Sequence, residues 1–263
     1  MKPEKLYLIP EHNDIERSED VAAKWNASFE YNDFFDPQLL DDKDALRKRI
    51  DLYRPHARKN LKDNLHGVFY DICLNSTDKQ IRMLSEKRVD SSMEIASELN
   101  CEKVIFHTNF IPGFIPDFYV NGWVKDNSAY YRKICGAYPD ITVCVENMFD
   151  FKPDMLLRLA ESMDDVANFG VCFDVAHINV HNERCEDWIR LLARYIRHIH
   201  INDNDGKADL HLPVGRGTIN WEEFFGVMDK FEISTGMLIE VRRLDEFEGS
   251  MRYLTDRGLI DGK

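Results

Sequence analysis

The sequence has little of what would send it to several large classes of protein. In 263 residues no apolar run approaches the ~18 that a membrane-spanning helix needs. Cysteine is limited to Cys73, Cys101, Cys135, Cys144, Cys172 and Cys185, with no Cys-x-x-Cys pair, so no disulfide framework is expected. Met1-Lys2-Pro3-Glu4-Lys5 does not lead into an apolar segment, and the expectation is a reduced, cytoplasmic protein with no membrane partner. The patterns GxGxxG and GxxxxGK[ST] are both missing, which lowers the dinucleotide and P-loop readings. Positive charge is short as well. With 34 Lys+Arg against 47 Asp+Glu the net charge is −13, so the field of the whole chain repels polyanions and counts against a nucleic-acid partner. The basic group Arg54, Arg58, Lys59 and Lys62 beside Pro55 reads as a solvated face.

What is present is a regular alternation. Strands are expected over 5–9, 27–33, 64–72, 104–108, 141–147, 169–174, 196–201 and 237–241. Helices are expected over 15–26, 44–54, 78–99, 127–137, 153–163, 186–195, 221–231 and 248–257. In the helix over 78–99, Ile81, Leu84, Val89, Met93, Ile95 and Ala96 form the expected buried stripe. Between strand four and the next helix lies an aromatic, turn-rich stretch, 109–124, with Phe110, Pro112, Phe114, Pro116, Tyr119 and Trp123. It reads either as a lid over a pocket or as a loop packing its own small apolar core. Helices between strands favour parallel pairing, and no Pro/Ser-rich linker divides the chain. The fold class is therefore α/β, a closed (β/α)8 barrel of parallel strands with outer helices, in one domain over 1–263.

In such a barrel the carboxyl-terminal ends of the strands meet at one face. Strand three carries His66, strand four ends at His107, strand five at Glu146, and strand six at Asp174 with His177 just beyond. Strand seven supplies His200, with Asp209 and His211 in the loop that follows, and strand eight brings Glu240. Each has a duller explanation alone: a hydrogen-bonded core histidine, a glutamate paired with Arg242 or Arg243, an aspartate capping a turn. Together they make a cluster of carboxylates and imidazoles that a dry barrel mouth penalises unless cations neutralise it. Divalent ions are expected, one or as many as three, from zinc, manganese, cobalt or magnesium. His12, His56, His181 and His198 are read as surface or structural, with His198 on the same strand face as His200 but deeper.

The motifs Val145-Glu146-Asn147, Asp174-Val-Ala-His177, His200-Ile-Asn-Asp203, Asp209-Leu-His211 with Pro213-Val-Gly-Arg-Gly-Thr-Ile-Asn-Trp221, and Leu238-Ile-Glu240-Val241 resemble the xylose isomerase-like TIM-barrel superfamily over nearly the whole chain. That group holds sugar isomerases and epimerases and the endonuclease IV type of AP endonuclease. The epimerase branch implies one ion on Glu146, Asp174, His200 and Glu240, with the two glutamates also serving as acid and base. The endonuclease branch implies three zinc ions, adding His66, His107, His177, Asp209 and His211. The surface charge weighs toward a metal-dependent isomerase or epimerase of a small sugar or sugar phosphate, with a zinc phosphoesterase as the alternative. A homo-oligomer is compatible with either.

Overall fold

The short β-prone runs of this chain and the helices between them close on themselves. A computed structural model describes residues 3–57, 62–148 and 150–261. Its strands are β1 (Lys5–Leu8), β2 (Ala27–Tyr31), β3 (Asn64–His66), β4 (Lys103–His107), β5 (Thr142–Glu146), β6 (Phe169–Asp174), β7 (Ile196–Ile201) and β8 (Gly236–Ile239). They form a closed barrel in chain order, a TIM barrel with helices around it. The strands read as nearly unbroken apolar runs because parallel strands covered by helices are buried on both faces. Among the described residues no helix is long and apolar enough to cross a membrane.

By internal contacts the chain falls into two compact units. One comprises Met1–Glu30, Asn147–Pro153 and Val171–Lys263. In it β1 pairs in parallel with β2 and β8, and β7 with β6 and β8, in a register that sets Asp174 beside His200 and His198 beside Gly236. Trp188, Trp221, Phe173 and Phe224 are fully buried there. The other comprises Tyr31–Glu146 and Asp154–Gly170. Here β3, β4 and β5 pair in parallel, with His66 beside Ile105 and His107 beside Glu146, over a core that includes Tyr53, Phe106, Trp123 and Tyr131.

Several expected boundaries move. The stretch read as irregular over 109–124 is irregular in its first half and helical in its second: one helix runs Asp117–Ala137, with Pro116 at its N-cap. The prolines end in the cap, and Val120, Trp123, Asn127, Tyr130 and Ile134 then recur at helical spacing as its buried side. Phe110 packs on Tyr119 and Trp123, and Phe114 on Phe118 and Tyr119, so the segment builds an aromatic cluster of its own. Strand three stops at His66 and β8 at Ile239, which leaves Glu240 just past its strand. Ile81 and Leu84 are about half exposed, not buried. Their helix, Lys79–Glu98, has 20 residues and is about 30 Å long, while β4 spans about 17 Å, so its first turns outrun the sheet layer. Short helices at Pro37–Asp41 and Val175–Asn179 join the expected set, and the last helix starts earlier, at Leu244. Of the basic group near Pro55, Arg54 pairs with Asp51 and Glu98, and Arg58 and Lys59 lie outside the described residues.

Candidate metal centre

Strand β7 carries two buried histidines on one face because residues two apart along a strand point the same way. Both turn Nε2 to one carboxylate, Glu30 of β2: His198 donates to Oε2 at 2.8 Å, and His200 stands in ion-pair contact with Oε1 at 2.9 Å. Burial alone would raise the Glu30 carboxyl, but His200 and His198 outweigh it and hold the group far below the usual carboxylate range. With Nε2 tied to Glu30, His200 turns Nδ1 toward Glu240 Oε2, 3.3 Å away. Glu30 was not among the residues singled out from the sequence. Its signal is a carboxylate between two aromatic residues in a fully buried strand. His198 is fully buried, with the ring of Tyr7 edge-on to it.

Past the strand ends, the polar residues of this unit lock one another. The Asn147 side chain bonds both the backbone N–H and the carbonyl of Asp174, and its own carbonyl accepts from His177 Nδ1 at 2.7 Å. Asp174 Oδ1 caps the helix Val175–Asn179 through the N–H of His177, so the capping role is real; its Oδ2 lies 3.4 Å from Asn202. Asp203, fully buried, takes the indole N–H of Trp221 and the backbone N–H groups of Gly215 and Ile219, which ties down the long loop after β7. That loop presents Asp209 and His211. His211 sits at φ 49°, a left-handed conformation costly for a residue with a Cβ and common at functional sites. Its Nδ1 is held by the Glu240 carbonyl at 3.1 Å, and its Nε2 lies 3.0 Å from Asp209 Oδ2. His177 Nε2 reaches the same oxygen at 3.6 Å. Burial would lower the His211 imidazole, but Glu240 and Asp209 push it up to about 9, while Asp209 is held well below its ordinary range, since its two histidine partners outweigh its burial.

In the other unit β3, β4 and β5 deliver His66, His107 and Glu146, all buried. His66 donates from Nδ1 to the Gly67 carbonyl at 3.0 Å. The Nε2 atoms of His66 and His107 are 3.2 Å apart, and Glu146 Oε2 lies 3.8 Å from the first and 3.5 Å from the second. The ring of Phe69 stacks on His107 with centroids 4.8 Å apart and meets His66 edge-on. Phe69 thus lies against both imidazoles, and it falls where the sequence reading still had a strand; Asn109 and Trp123 of the aromatic segment line a small pocket with His107.

These donors fit a divalent ion. Ligand atoms about 2.0–2.1 Å from a tetrahedral ion stand roughly 3.3 Å from one another, and the separations among His66, His107 and Glu146 run from 3.2 to 3.8 Å; Asp209 Oδ2 stands 3.0 Å from His211 Nε2 and 3.6 Å from His177 Nε2. The ring nitrogen turned away is held by a carbonyl in His66, His177 and His211 and by Glu30 in His200, the outer bond that fixes tautomer and ring orientation in metal-binding histidines. Every residue proposed as a ligand from the sequence therefore lies in a His/carboxylate group of its unit: His66, His107 and Glu146 in one; Asp174, His177, His200, Asp209, His211 and Glu240 in the other. Glu240 keeps to His200 and His211, and Arg243 lies nearest Asp245.

The sequence profile of the xylose isomerase-like TIM barrel matches residues 21–257. An uncharacterized protein of Methanocaldococcus jannaschii, MJ1311, is 30% identical over 181 residues, 64% of this chain and 59% of that protein, so the match spans less than two thirds of its relative's length. Two solved structures share the fold. A D-tagatose 3-epimerase-like protein superposes with a TM-score of 0.72 at 23% identity over 96% of each chain. Endonuclease IV from Thermus thermophilus does so with a TM-score of 0.65 at 15% identity, over 95% of this chain and 97% of that one.

Proposed function

The chain belongs to the xylose isomerase-like TIM-barrel family, and within it we propose that the protein is a divalent-metal-dependent isomerase or epimerase of a sugar or sugar phosphate. The observation that carries this reading is the pair of buried glutamates, Glu146 at the end of β5 and Glu240 just past β8, each with an imidazole near its Oε2. In a parallel barrel the carboxyl ends of the strands open on one face, which supports both carboxylates addressing one substrate. Glu146, Asp174, His200 and Glu240 would hold the ion, which when bound polarises a substrate carbonyl and its neighbouring hydroxyl. One glutamate takes the proton from the adjacent carbon and the other returns a proton, to the opposite face in an epimerisation. Glu30 fixes His200, and Phe69 supplies an apolar wall that limits water near His66 and His107.

The test is turnover of a panel of ketoses and ketose phosphates by metal-loaded Glu146→Gln and Glu240→Gln, with exchange of solvent deuterium into the carbon next to the carbonyl as a second readout. Each substitution is expected to lower kcat by about 10²-fold or more. Full turnover and full exchange in both variants would remove the acid/base assignment.

A second reading, a zinc-dependent phosphoesterase, is favoured by one observation: Asp209 Oδ2 lies 3.0 Å from His211 and 3.6 Å from His177, a carboxylate between two imidazoles that a one-ion isomerase does not need. Hydrolysis of an abasic-site duplex or of small phosphate esters by the zinc-loaded protein, with no exchange into ketoses, would move the assignment there.

A further inference from the structure

Beside these residues a cleft of about 690 Å³ opens between the loop after β7 and the start of the last helix, within the usual range of small-ligand sites, roughly 300–1,000 Å³. Arg216, Arg243, Arg252 and Tyr253 line it. The two acids in its wall are already engaged: Asp245 pairs with Arg17, and Glu246 accepts the backbone N–H of Arg243. Three arginines, Arg216, Arg243 and Arg252, thus share the wall with two acids, and among the described residues no carboxylate lies within ion-pair distance of Arg216 or Arg252, although Glu248 acts on Arg252 from further off.

The loop that carries Arg216 is fixed on both sides of it. Gly215 has φ +82°, and a Cβ there would lie 2.3 Å from the Tyr253 ring; a Cβ on Gly217 would lie 2.2 Å from Asp203 Oδ1 and from the Asn204 carbonyl. The N–H of Val214 is held by Ser250 Oγ and that of Gly215 by Asp203 Oδ2, each at 3.0 Å. The Pro-Val-Gly-Arg-Gly turn is thus a rigid mount for one exposed arginine. It is also close to the candidate metal ligands. Pro213 is two residues from His211 and Arg243 three from Glu240, so the backbone of the cleft wall lies at most about 7 and 11 Å from those residues. A sugar phosphate is long enough to bridge separations of that order.

We propose that this cleft receives the phosphate of a phosphorylated sugar, so that the substrate of the neighbouring site is a sugar phosphate and not the free sugar; the second half of the statement rests on the isomerase reading above. Guanidinium forks pair with phosphate oxygens in two-point geometry, and the loops after strands seven and eight are a recurrent phosphate seat in barrels of this kind. The acidic whole-molecule field favours a small phosphate monoester over a polynucleotide.

Calorimetric titration of the metal-loaded full chain with inorganic phosphate, and with one ketose in phosphorylated and unphosphorylated form, tests this. Arg216→Ala and Arg252→Ala are expected each to weaken phosphate binding about tenfold or more, Arg216→Lys to restore part of it, and metal content to stay unchanged. Phosphate affinity equal to wild type in both alanine variants overturns the site. Loss of phosphate affinity in a protein that isomerises no ketose phosphate leaves the cleft standing and removes the isomerase reading. Turnover of a ketose with kcat/KM untouched by Arg216→Ala removes the cleft from substrate binding and leaves that reading intact. Tighter competition by an abasic-site duplex than by the monophosphate overturns the small-molecule assignment.

Discussion

A carboxylate sealed from water stays ionised only if its partners replace its hydration. Glu30 meets this with an imidazole at each oxygen, His198 donating to one and His200 in ion-pair contact with the other. The charge held there is useful one bond further on, because it sets which nitrogen of His200 faces Glu240. Glu30→Gln keeps the volume but removes the charge and one acceptor. It is expected to weaken metal binding about 10- to 100-fold, measured by competition with a chromophoric chelator, while the far-ultraviolet circular dichroism stays unchanged. Wild-type affinity in this variant would return Glu30 to a purely structural role. At this scale the placement of the candidate residues was legible in the sequence, because His66, His107, Glu146 and Asp174 each end a strand and His200 stands one residue before the end of its own, where chemistry in a barrel collects. Glu30 holds the same position in β2 as His200 in β7, but between two aromatic residues it reads as an isolated charge, and only its meeting with His198 and His200 shows why that charge is tolerated there.

Secondary structure followed the hydrophobic period where one face is buried along its whole length and departed from it where an element outruns its neighbours. The helix Lys79–Glu98 shows both. Val89, Met93, Ile95 and Ala96 are buried as the periodicity predicts, while Ile81 and Leu84 belong to the same apolar stripe yet face solvent. Truncation should separate them. Met93→Ala is expected to cost about 2–5 kcal/mol, as for other large buried side chains, and Leu84→Ala to stay within about 0.5 kcal/mol of wild type, both by urea denaturation of the metal-loaded protein. Equal losses would mean that Leu84 is covered in solution. The helix Asp117–Ala137 is the converse case. Prolines and aromatics before and within its first turns resemble a loop, and the cap at Pro116 followed by a buried stripe from Val120 shows that packing overrode that local signal. Loop geometry lies further from sequence: the bonds from Asp203 to Gly215, Ile219 and Trp221 join residues 12 to 18 positions apart, and no periodicity encodes them.

For the molecule as a whole, binding of an ion by the proposed ligands would be coupled to stability, because such a site exists only in the folded chain. Four of the proposed ligands, Glu146, Asp174, Asp209 and Glu240, are carboxylates, and three of these are nearly or fully buried, adding to a net charge of −13. Without a cation their mutual repulsion opposes folding; with one, an ion present at 1,000 times its dissociation constant adds about 4 kcal/mol. In a chain of this length that corresponds to a rise in Tm on the order of 10 °C. Chelation followed by graded return of zinc or manganese, read by calorimetry alongside elemental analysis, should show this rise and count the ions that produce it. Saturation at one ion per chain is expected if the isomerase reading holds, with His66, His107, His177, Asp209 and His211 serving as polar walls. Saturation at two or three, with a further stability step for each ion, is what the phosphoesterase reading requires, because the groups around His107 and His177 must then be filled for water to be activated. Substituting Asp209→Asn in the same titration assigns the step: it should be silent in the one-ion case and should delete a single step in the other.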